Sequence, residues 1–436
     1  MDVRKAALKS IIKIFYNKTS LDDVLNYYSR QVLIKSELKG LVSGTVRYKI
    51  TIDYYISNIS TKNIKSLSNN VLNCLRLAIY ELEFLKTPDY AVINSYVELI
   101  KQTDKKAGAF VNGVLRNFIR KRAEIKFPDI ENDPISAISI KYSHPEWMVS
   151  RWLKNYGLEN TKKICKYNNL IPKLVIRTNT IKISKEKLKI YFDSKNISYS
   201  DDRMVKDCMI LLQKGSIEEI PGFVEGYWLV QSESSSIVSI VLDSKENENI
   251  LDLCAAPGGK TTHIAALMNN KGNITAIDVS SKRIKKIQEN CLRLGVDIVK
   301  CETADAKKYC PNKKFDRILI DAPCSNTGVL GRRIDARWNK SQDDINNLSI
   351  IQLDILNNAA KLLKSNGIMV YSTCSIEPEE NQEVIDKFLH QNKDFQLDKI
   401  TPYLPWEIED DKGYFQILQS KQNIDGFFIA RLRKVL

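Results

Sequence analysis

The sequence predicts a multidomain chain: an all-α bundle, then a small α+β module, then a C-terminal α/β domain built on an open, mostly parallel sheet. Three observations predict it. The 436 residues exceed what one hydrophobic core usually serves. Up to about Arg122 the apolar residues recur at helical spacing, whereas from Ile237 short apolar runs alternate with amphipathic stretches, the pattern of strand–helix–strand crossovers.

In the N-terminal part, residues 1–130, the helical stripe runs through Leu8, Ile11, Ile12 and Phe15, then Val71, Leu75, Ala78, Ile79 and Leu82. It continues through Val92, Tyr96 and Leu99, and through Phe110, Val111, Val114, Leu115 and Phe118. A polar stretch bearing Asp and Pro, Lys126–Pro134, closes the bundle. Residues 131–165 read as a helical connector, with Pro145 suited to the first turn of a helix carrying Trp147 and Trp152. Residues 166–236 read as the α+β module, from the strand KLVIRTNT and the helix SKEKLKIYFDSK. In residues 237–436, strands are expected at Ile250–Leu253, Ile274–Ile277, Ile298–Lys300, Arg317–Ile320 and Ile368–Tyr371. Helices are expected at Thr261–Met268, Ser281–Leu294 and Ile345–Leu363. YFQILQS and GFFIARLRK read as a closing hairpin.

Charge is unevenly distributed. The chain carries 66 Lys and Arg against 52 Asp and Glu, a net charge of +14, and residues 1–130 hold 22 basic and 12 acidic side chains. A phosphate-bearing partner is therefore expected to meet the N-terminal domain first. Nine cysteines without pairing pattern, no apolar leader and no 18-residue apolar stretch point to a reducing cytoplasm and no membrane role.

The chemistry is expected in the C-terminal half. Cys324, in D-A-P-C-S, and Cys374, in S-T-C-S, each follow an apolar run and should sit at the carboxyl end of a strand, where open α/β sheets place their ligand crevice. A thiolate there is a strong nucleophile. Cys74, Cys165, Cys208, Cys254, Cys291, Cys301 and Cys310 read as small apolar residues, and with no C-x-x-C pair and only three histidines no metal site is expected.

Upstream, LDLCAAPGGK places Gly258 and Gly259 between a strand and a helix, where the backbone can approach a ligand. Dinucleotide and P-loop fingerprints are absent, which disfavours pyrophosphate. Asp278, ending the second strand, suits the two hydroxyls of a ribose, and Asp305 an adenine amino group; each is also read as a solvated loop acid or helix cap. Asp321 precedes A-P-C and should face the same crevice as Cys324. Together these describe a nucleoside-bearing cofactor beside nucleophilic thiols. S-adenosylmethionine fits, with S-adenosylhomocysteine as product. The acceptor would be an unreactive carbon such as carbon 5 of a pyrimidine, activated by thiolate attack on carbon 6.

At LDLCAAPGGKTTHIA, AIDVS, FDRILIDAPCSNTGVLGRR, MVYSTCSIEPEENQEVI and DGFFIARL the sequence resembles the RNA cytosine-5 methyltransferases. AVINSYVELIK and FVNGVLRNFIR resemble a NusB-type RNA-binding domain. The resemblance implies a Rossmann-like class I methyltransferase domain with a mostly parallel seven-stranded sheet, acting as a monomer on a cytosine of 16S ribosomal RNA, naked or in early assembly particles. It makes Cys374 the attacking thiolate, Cys324 the group that helps release product and Asp321 the acid at the base. Cys254, Ala255, Ala256, Pro257, Gly258, Gly259 and Lys260 become the cofactor loop, with Asp278 on the ribose, Asp305 beside the adenine, Arg283 at the outer edge and Asp321 close by. Lys260 is read either at the pocket edge or as a helix-start lysine in solvent. Gly331 and Ile334 stand where the family carries a second basic residue and a proline, and Asn326 where glycine is common. A transfer RNA cytosine-5 methyltransferase and a catalytically silent assembly factor are the alternatives; the helical bundle argues against the first and the joint presence of both thiols against the second.

Overall fold

A computed structural model describes residues 1–202, 204–213 and 215–435, which leaves the last residue of the predicted C-terminal domain, Leu436, outside the described residues. The chain forms two compact units, Met1–Leu170 with Leu330–Lys340, and Ile171–Val329 with Ser341–Leu436.

The first unit is helical. Its longer helices are Val3–Asn17, Leu21–Ser29, Lys35–Arg47, Lys49–Ile59, Asn69–Tyr80, Asp89–Lys101, Ala107–Lys121, Pro134–Tyr142 and Glu146–Asn169. Several start where a side chain caps the free N–H groups: Asp2, Ser20, Ser68 and Asp133 accept from the backbone of Lys5, Asp23, Val71 and Ser136. The apolar stripe lies inward as its spacing predicts, with Ile11, Leu75, Ala78, Ile79, Val92, Tyr96, Val111, Leu115 and Phe118 all fully buried. Ile12, Phe15 and Phe110 pack half-buried at the edge. Where Asn69–Tyr80 runs on into a wider π turn, Glu81–Leu85, the buried Glu81 accepts two hydrogen bonds from Arg4 (2.9 and 2.7 Å) and one from the Tyr96 hydroxyl (2.6 Å). A carboxylate is stable there because its donors replace water.

Leu330–Lys340 is held in this unit by specific bonds. The buried Arg337 guanidinium donates to the carbonyls of Arg47, Ser143 and Asn168 and to the Asn169 side chain, and the Trp338 indole to the Val46 carbonyl. Ile334 joins the helical core. Burial pushes the Arg337 pKa down to about 9, and four oxygen acceptors are what keep its charge tolerable.

The second unit contains two sheets. The smaller comprises β1 (Leu174–Thr178), β2 (Tyr199–Asp201), β3 (Cys208–Leu211) and β4 (Trp228–Val230), ordered β2-β3-β1-β4 with antiparallel pairing throughout. Leu188 and Phe192, from the helix Lys185–Ser194, pack on Ile176, Met209 and Trp228.

The larger sheet comprises β5 (Asn249–Leu253), β6 (Asn273–Asp278), β7 (Val299–Thr303), β8 (Phe315–Asp321), β9 (Leu363–Thr373), β10 (Phe395–Leu397), β11 (Tyr414–Ile417) and β12 (Phe427–Lys434). β7-β6-β5-β8-β9 are parallel, β12 joins β9 antiparallel, and both β10 and β11 pair with β12. One more strand is present than the predicted seven, because β12 is long enough for its two halves to hold β10 and β11 separately. The predicted strands and helices are all present, and Ser281–Leu294 has the predicted ends. β9 begins five residues earlier than its apolar run, through the polar Lys364–Asn366. The two sheets are joined through buried polar side chains: Arg177 on β1 donates to Gln231 (2.8 Å) and Thr262 (3.1 Å), and Asn179 to the Leu294 carbonyl (2.7 Å).

Candidate active site

Strand order reverses between β5 and β8: from β5 the chain builds outward through β6 and β7, then returns to build β8 and β9 on the other side. The connections that leave the carboxyl ends of these two paired strands run in opposite directions at that point, which is where open sheets hold ligands. A cleft of about 510 Å³ lies there, lined by Cys254, Ala256, Asp278, Arg283, Asp305, Asp321, Cys324 and Cys374 among others. Five strand ends, those of β5 to β9, thus bring most of the predicted site residues to one place. Ala255, Pro257, Gly258 and Gly259 form the turn behind the lining instead.

At the β5–β6 end, Gly258 takes φ +97° and starts the helix Gly259–Leu267. A side chain there would be strained and would press on Ile287, 3.1 Å from the position of its Cβ. Asp278 is buried and accepts from the backbone N–H groups of Ser280 (3.0 Å) and Ala256 (3.4 Å). Arg283 bridges Asp278 (3.3 Å) and the Ala256 carbonyl (2.7 Å), so this guanidinium braces the turn that carries Asp278. Asp305 accepts from the Lys307 N–H (3.0 Å), a local cap, while still lining the cleft. Cys254, at φ +60°, also lines the cleft. Burial, and then the charges of Asp321, Asp278 and Asp252, push its pKa to about 12 and keep it a neutral thiol.

At the β8–β9 end the two predicted thiols meet. Cys324 and Cys374 are both free, with sulfurs 3.1 Å apart. Cys324 is buried and Cys374 half-buried. The hydrogen bond to Cys374 and burial hold the Cys324 pKa well above its usual value, so Cys324 retains its proton. Cys374 donates to Asn326 Oδ1 (3.1 Å), and Asn326 sits at φ +64°, a left-handed conformation that asparagine tolerates as glycine does. Asp321 accepts from Lys260 Nζ (2.7 Å) and Ser372 Oγ (3.0 Å). The solvent reading of Lys260 is corrected here: the side chain is buried, ion-paired to Asp321 and 5.2 Å from the centre of the Phe427 ring.

Some site residues carried no signal that spacing could reveal. Ile351 and Ile355, from the helix Gln342–Leu362, and Phe427 on β12 supply apolar walls. Gly328 donates to the Cys374 carbonyl (2.9 Å), fastening one thiol loop to the other. Asp252, an acid inside the run LDL, was the one legible clue; it is fully buried and takes a hydrogen bond from Thr261 (2.6 Å). No group of acidic, histidine or cysteine side chains among the described residues is arranged to hold a metal ion.

Comparison with known proteins places the chain in a family. Residues 239–433 match the family described as 16S rRNA methyltransferase RsmB/F, residues 1–120 the NusB family, and residues 144–218 the ferredoxin-like domain of RsmF/B-like methyltransferases. The probable ribosomal RNA small subunit methyltransferase B of Bacillus subtilis (strain 168) is 38% identical over 444 residues, covering 99% of this chain and 98% of its own. The chain belongs to the RsmB/F family of 16S rRNA methyltransferases. Ribosomal RNA small subunit methyltransferase B of Serratia proteamaculans (strain 568), 32% identical, covers 100% of this chain and 99% of its own. Among solved structures, the crystal structure of PH0851 superposes with a TM-score of 0.81 at 28% identity, covering 99% of this chain and 97% of its own. NSun6 from Pyrococcus horikoshii with SFG gives 0.60 at 26% identity over 67% of this chain and 98% of its own. Like its family, this chain is an S-adenosylmethionine-dependent rRNA methyltransferase. The cleft fits that cofactor: its volume falls within the roughly 300–1,000 Å³ of small-molecule sites, and it is lined by the carboxylates Asp278, Asp305 and Asp321 beside the thiols Cys324 and Cys374.

Proposed function

We propose that the protein methylates carbon 5 of a cytosine in 16S ribosomal RNA through a covalent bond between Cys374 and carbon 6 of the base. The observation that carries this reading is the pair of thiols 3.1 Å apart in the cleft that Asp321 also lines. S-adenosylmethionine, when bound, supplies an electrophilic methyl group. Cys254 to Lys260 would form the turn that receives it, with Asp278 holding its ribose and Asp305 its adenine.

The chain's own residues account for the rest. Cys374, the more accessible thiol, loses its proton to solvent, and its thiolate attacks carbon 6 while the electron pair moves to carbon 5, which becomes nucleophilic. Asp321, fixed by Lys260 and Ser372, meets the ring nitrogen and amino edge of the cytosine, accepting from the amino group and passing a proton drawn from solvent to the ring nitrogen as negative charge develops there. After carbon 5 is methylated, transfer of its proton to solvent restores the double bond and expels the Cys374 sulfur as a thiolate. Cys324, which holds its proton beside that sulfur, is placed to meet the departing thiolate and so assist release. Carbon 6 is shielded by stacking in a duplex, so the target base must be unpaired or flipped. Naked 16S RNA or an early assembly particle is the expected substrate, met by a cytoplasmic, monomeric enzyme.

The test is product identity. Incubation of the protein with 16S RNA and S-adenosylmethionine, followed by digestion to nucleosides and mass spectrometry, should yield 5-methylcytidine, and Cys374→Ala should yield none. Methylation on a ring nitrogen or ribose, or a fully active Cys374→Ala, would overturn the reading.

A further inference from the structure

Behind the two thiols, out of the cleft, lies a carboxylate that the mechanism above does not use. Glu380 is fully buried and follows β9 in the run E-P-E-E-N. Its Oε1 accepts from the Ser325 N–H (2.8 Å) and from Gln352 Nε2 (3.1 Å). Its Oε2 accepts from the hydroxyls of both Ser325 and Ser375. Ser325 and Ser375 are the residues immediately after Cys324 and Cys374. One rigid side chain therefore grips both thiol loops at equivalent positions.

The surroundings make this a closed network. Gln352 also donates to the Pro323 carbonyl (2.9 Å), just before Cys324. Ser325 and Ser375 lie 3.1 Å apart through their hydroxyls, and Thr327 is 3.1 Å from Ser375. The neighbouring Asn381 takes a bond from Thr373 (2.6 Å) and donates to the Ser375 carbonyl (3.0 Å), holding the Cys374 loop from its other side. A buried carboxylate receiving four donors is anchored by all of them. Burial raises the Glu380 pKa while those donors pull it back down.

We infer that Glu380 is a positioning residue for both chemical steps, fixing the separation and aim of the Cys374 and Cys324 sulfurs by clamping Ser325 and Ser375. This rests on the proposed thiol mechanism and adds to it the element that keeps the nucleophile and the release group in register. The two loops, separated by 50 residues, also meet through the thiols, the Ser325–Ser375 and Thr327–Ser375 hydroxyls, the Ile376 N–H on Thr327 (3.1 Å), the Gly328 N–H on the Cys374 carbonyl and the Cys374–Asn326 bond, and among the described residues Glu380 is the one charged group that binds the hydroxyls of both Ser325 and Ser375.

The experiment uses the full chain, 16S RNA and S-adenosylmethionine under single-turnover conditions, reading methyl transfer and RNA release separately, with cofactor affinity measured in parallel. Glu380→Ala should slow both steps, transfer by on the order of 100-fold, the cost of a misplacement near 1 Å, and leave cofactor affinity within about twofold. Glu380→Gln keeps the shape, and serine hydroxyls can turn to accept from an amide, so it should recover most of the rate. Ser325→Ala with Ser375→Ala should reproduce Glu380→Ala, and adding Glu380→Ala to that pair should cost little more, since all three act as one unit. Unchanged rates in a folded Glu380→Ala, additive losses in the triple variant, or a loss of cofactor binding as large as the loss of rate would overturn the inference. If Glu380→Ala does not fold, the serine pair and Glu380→Gln decide it: full activity in the serine pair overturns it. Wild-type rates in Cys374→Ala would overturn the thiol mechanism and the clamp together, whereas full activity in Glu380→Ala beside an inactive Cys374→Ala overturns the clamp alone.

Discussion

Asp252, inside β5, and Asp278, ending β6, lie on neighbouring strands, yet they are buried for different reasons and should respond differently to mutation. Burial raises the Asp252 pKa from 3.8 to about 7, while Thr261 partly offsets it. The folded protein thus holds this proton more tightly than the unfolded chain does. The corresponding stability is complete below about pH 4 and is lost as pH rises to about 7, at up to about 1.4 kcal/mol per pH unit. Asp252→Asn removes the titration, so its melting temperature relative to wild type should rise between pH 5 and pH 7.5. Thermal melts at both values check this, and a constant difference would contradict it. Asp278 instead lines the cleft. Asp278→Ala should weaken S-adenosylmethionine binding by about 1–3 kcal/mol in calorimetry, the scale of a charged hydrogen bond; equal affinity would remove Asp278 from the site. Cys324, Cys374, Asp278 and Asp321 were legible in the sequence because each interrupts or ends an apolar run with a chemically active group. Glu380 was not, because E-P-E-E offers three acids and only the fold decides that Glu380 turns in between the thiol loops.

Among the elements, the parallel strands were the most legible, since β5, β6 and β8 are buried and read as continuous apolar runs. β2 and β10, three residues each, gave too little pattern to predict. Gly331 and Ile334, the departures from the family's basic–proline pattern, lie in Leu330–Lys340, where Arg333 pairs with Asp22 (2.6 Å) and Arg337 is buried among helix ends, contacts with residues far away in sequence that local pattern cannot report. The 3₁₀ turn Thr327–Val329 carries a sharper constraint. A Cβ on Gly328 would collide with the carbonyls of Gly426 and Cys374, so Gly328→Ala should push the thiol loops apart. The expected result is a fall in methylation of on the order of 100-fold, with cofactor affinity kept within about twofold. Steady-state rates and calorimetry on one preparation check it, and normal turnover would contradict it.

At the scale of the whole chain, the basic excess lies in the segment that matches the NusB family. No helix among the described residues is long and apolar enough to cross a membrane. The helix Ala107–Lys121 exposes Arg116, Arg120 and Lys121 and is a natural place for phosphate contacts. Reversing these three charges to Glu should weaken 16S RNA binding and make its log–log salt dependence shallower by about two units, at roughly 0.7 per single-strand phosphate contact. An unchanged affinity and slope would mean that RNA is held elsewhere. The central claim, that a thiol attacks the base, is tested most directly by trapping. Cys324→Ala, incubated with 16S RNA and S-adenosylmethionine and then denatured, should run as a slow species that nuclease digestion reduces, because Cys374 attacks but is not released. Cys374→Ala should form none. An adduct with Cys374→Ala and none with Cys324→Ala would contradict the account.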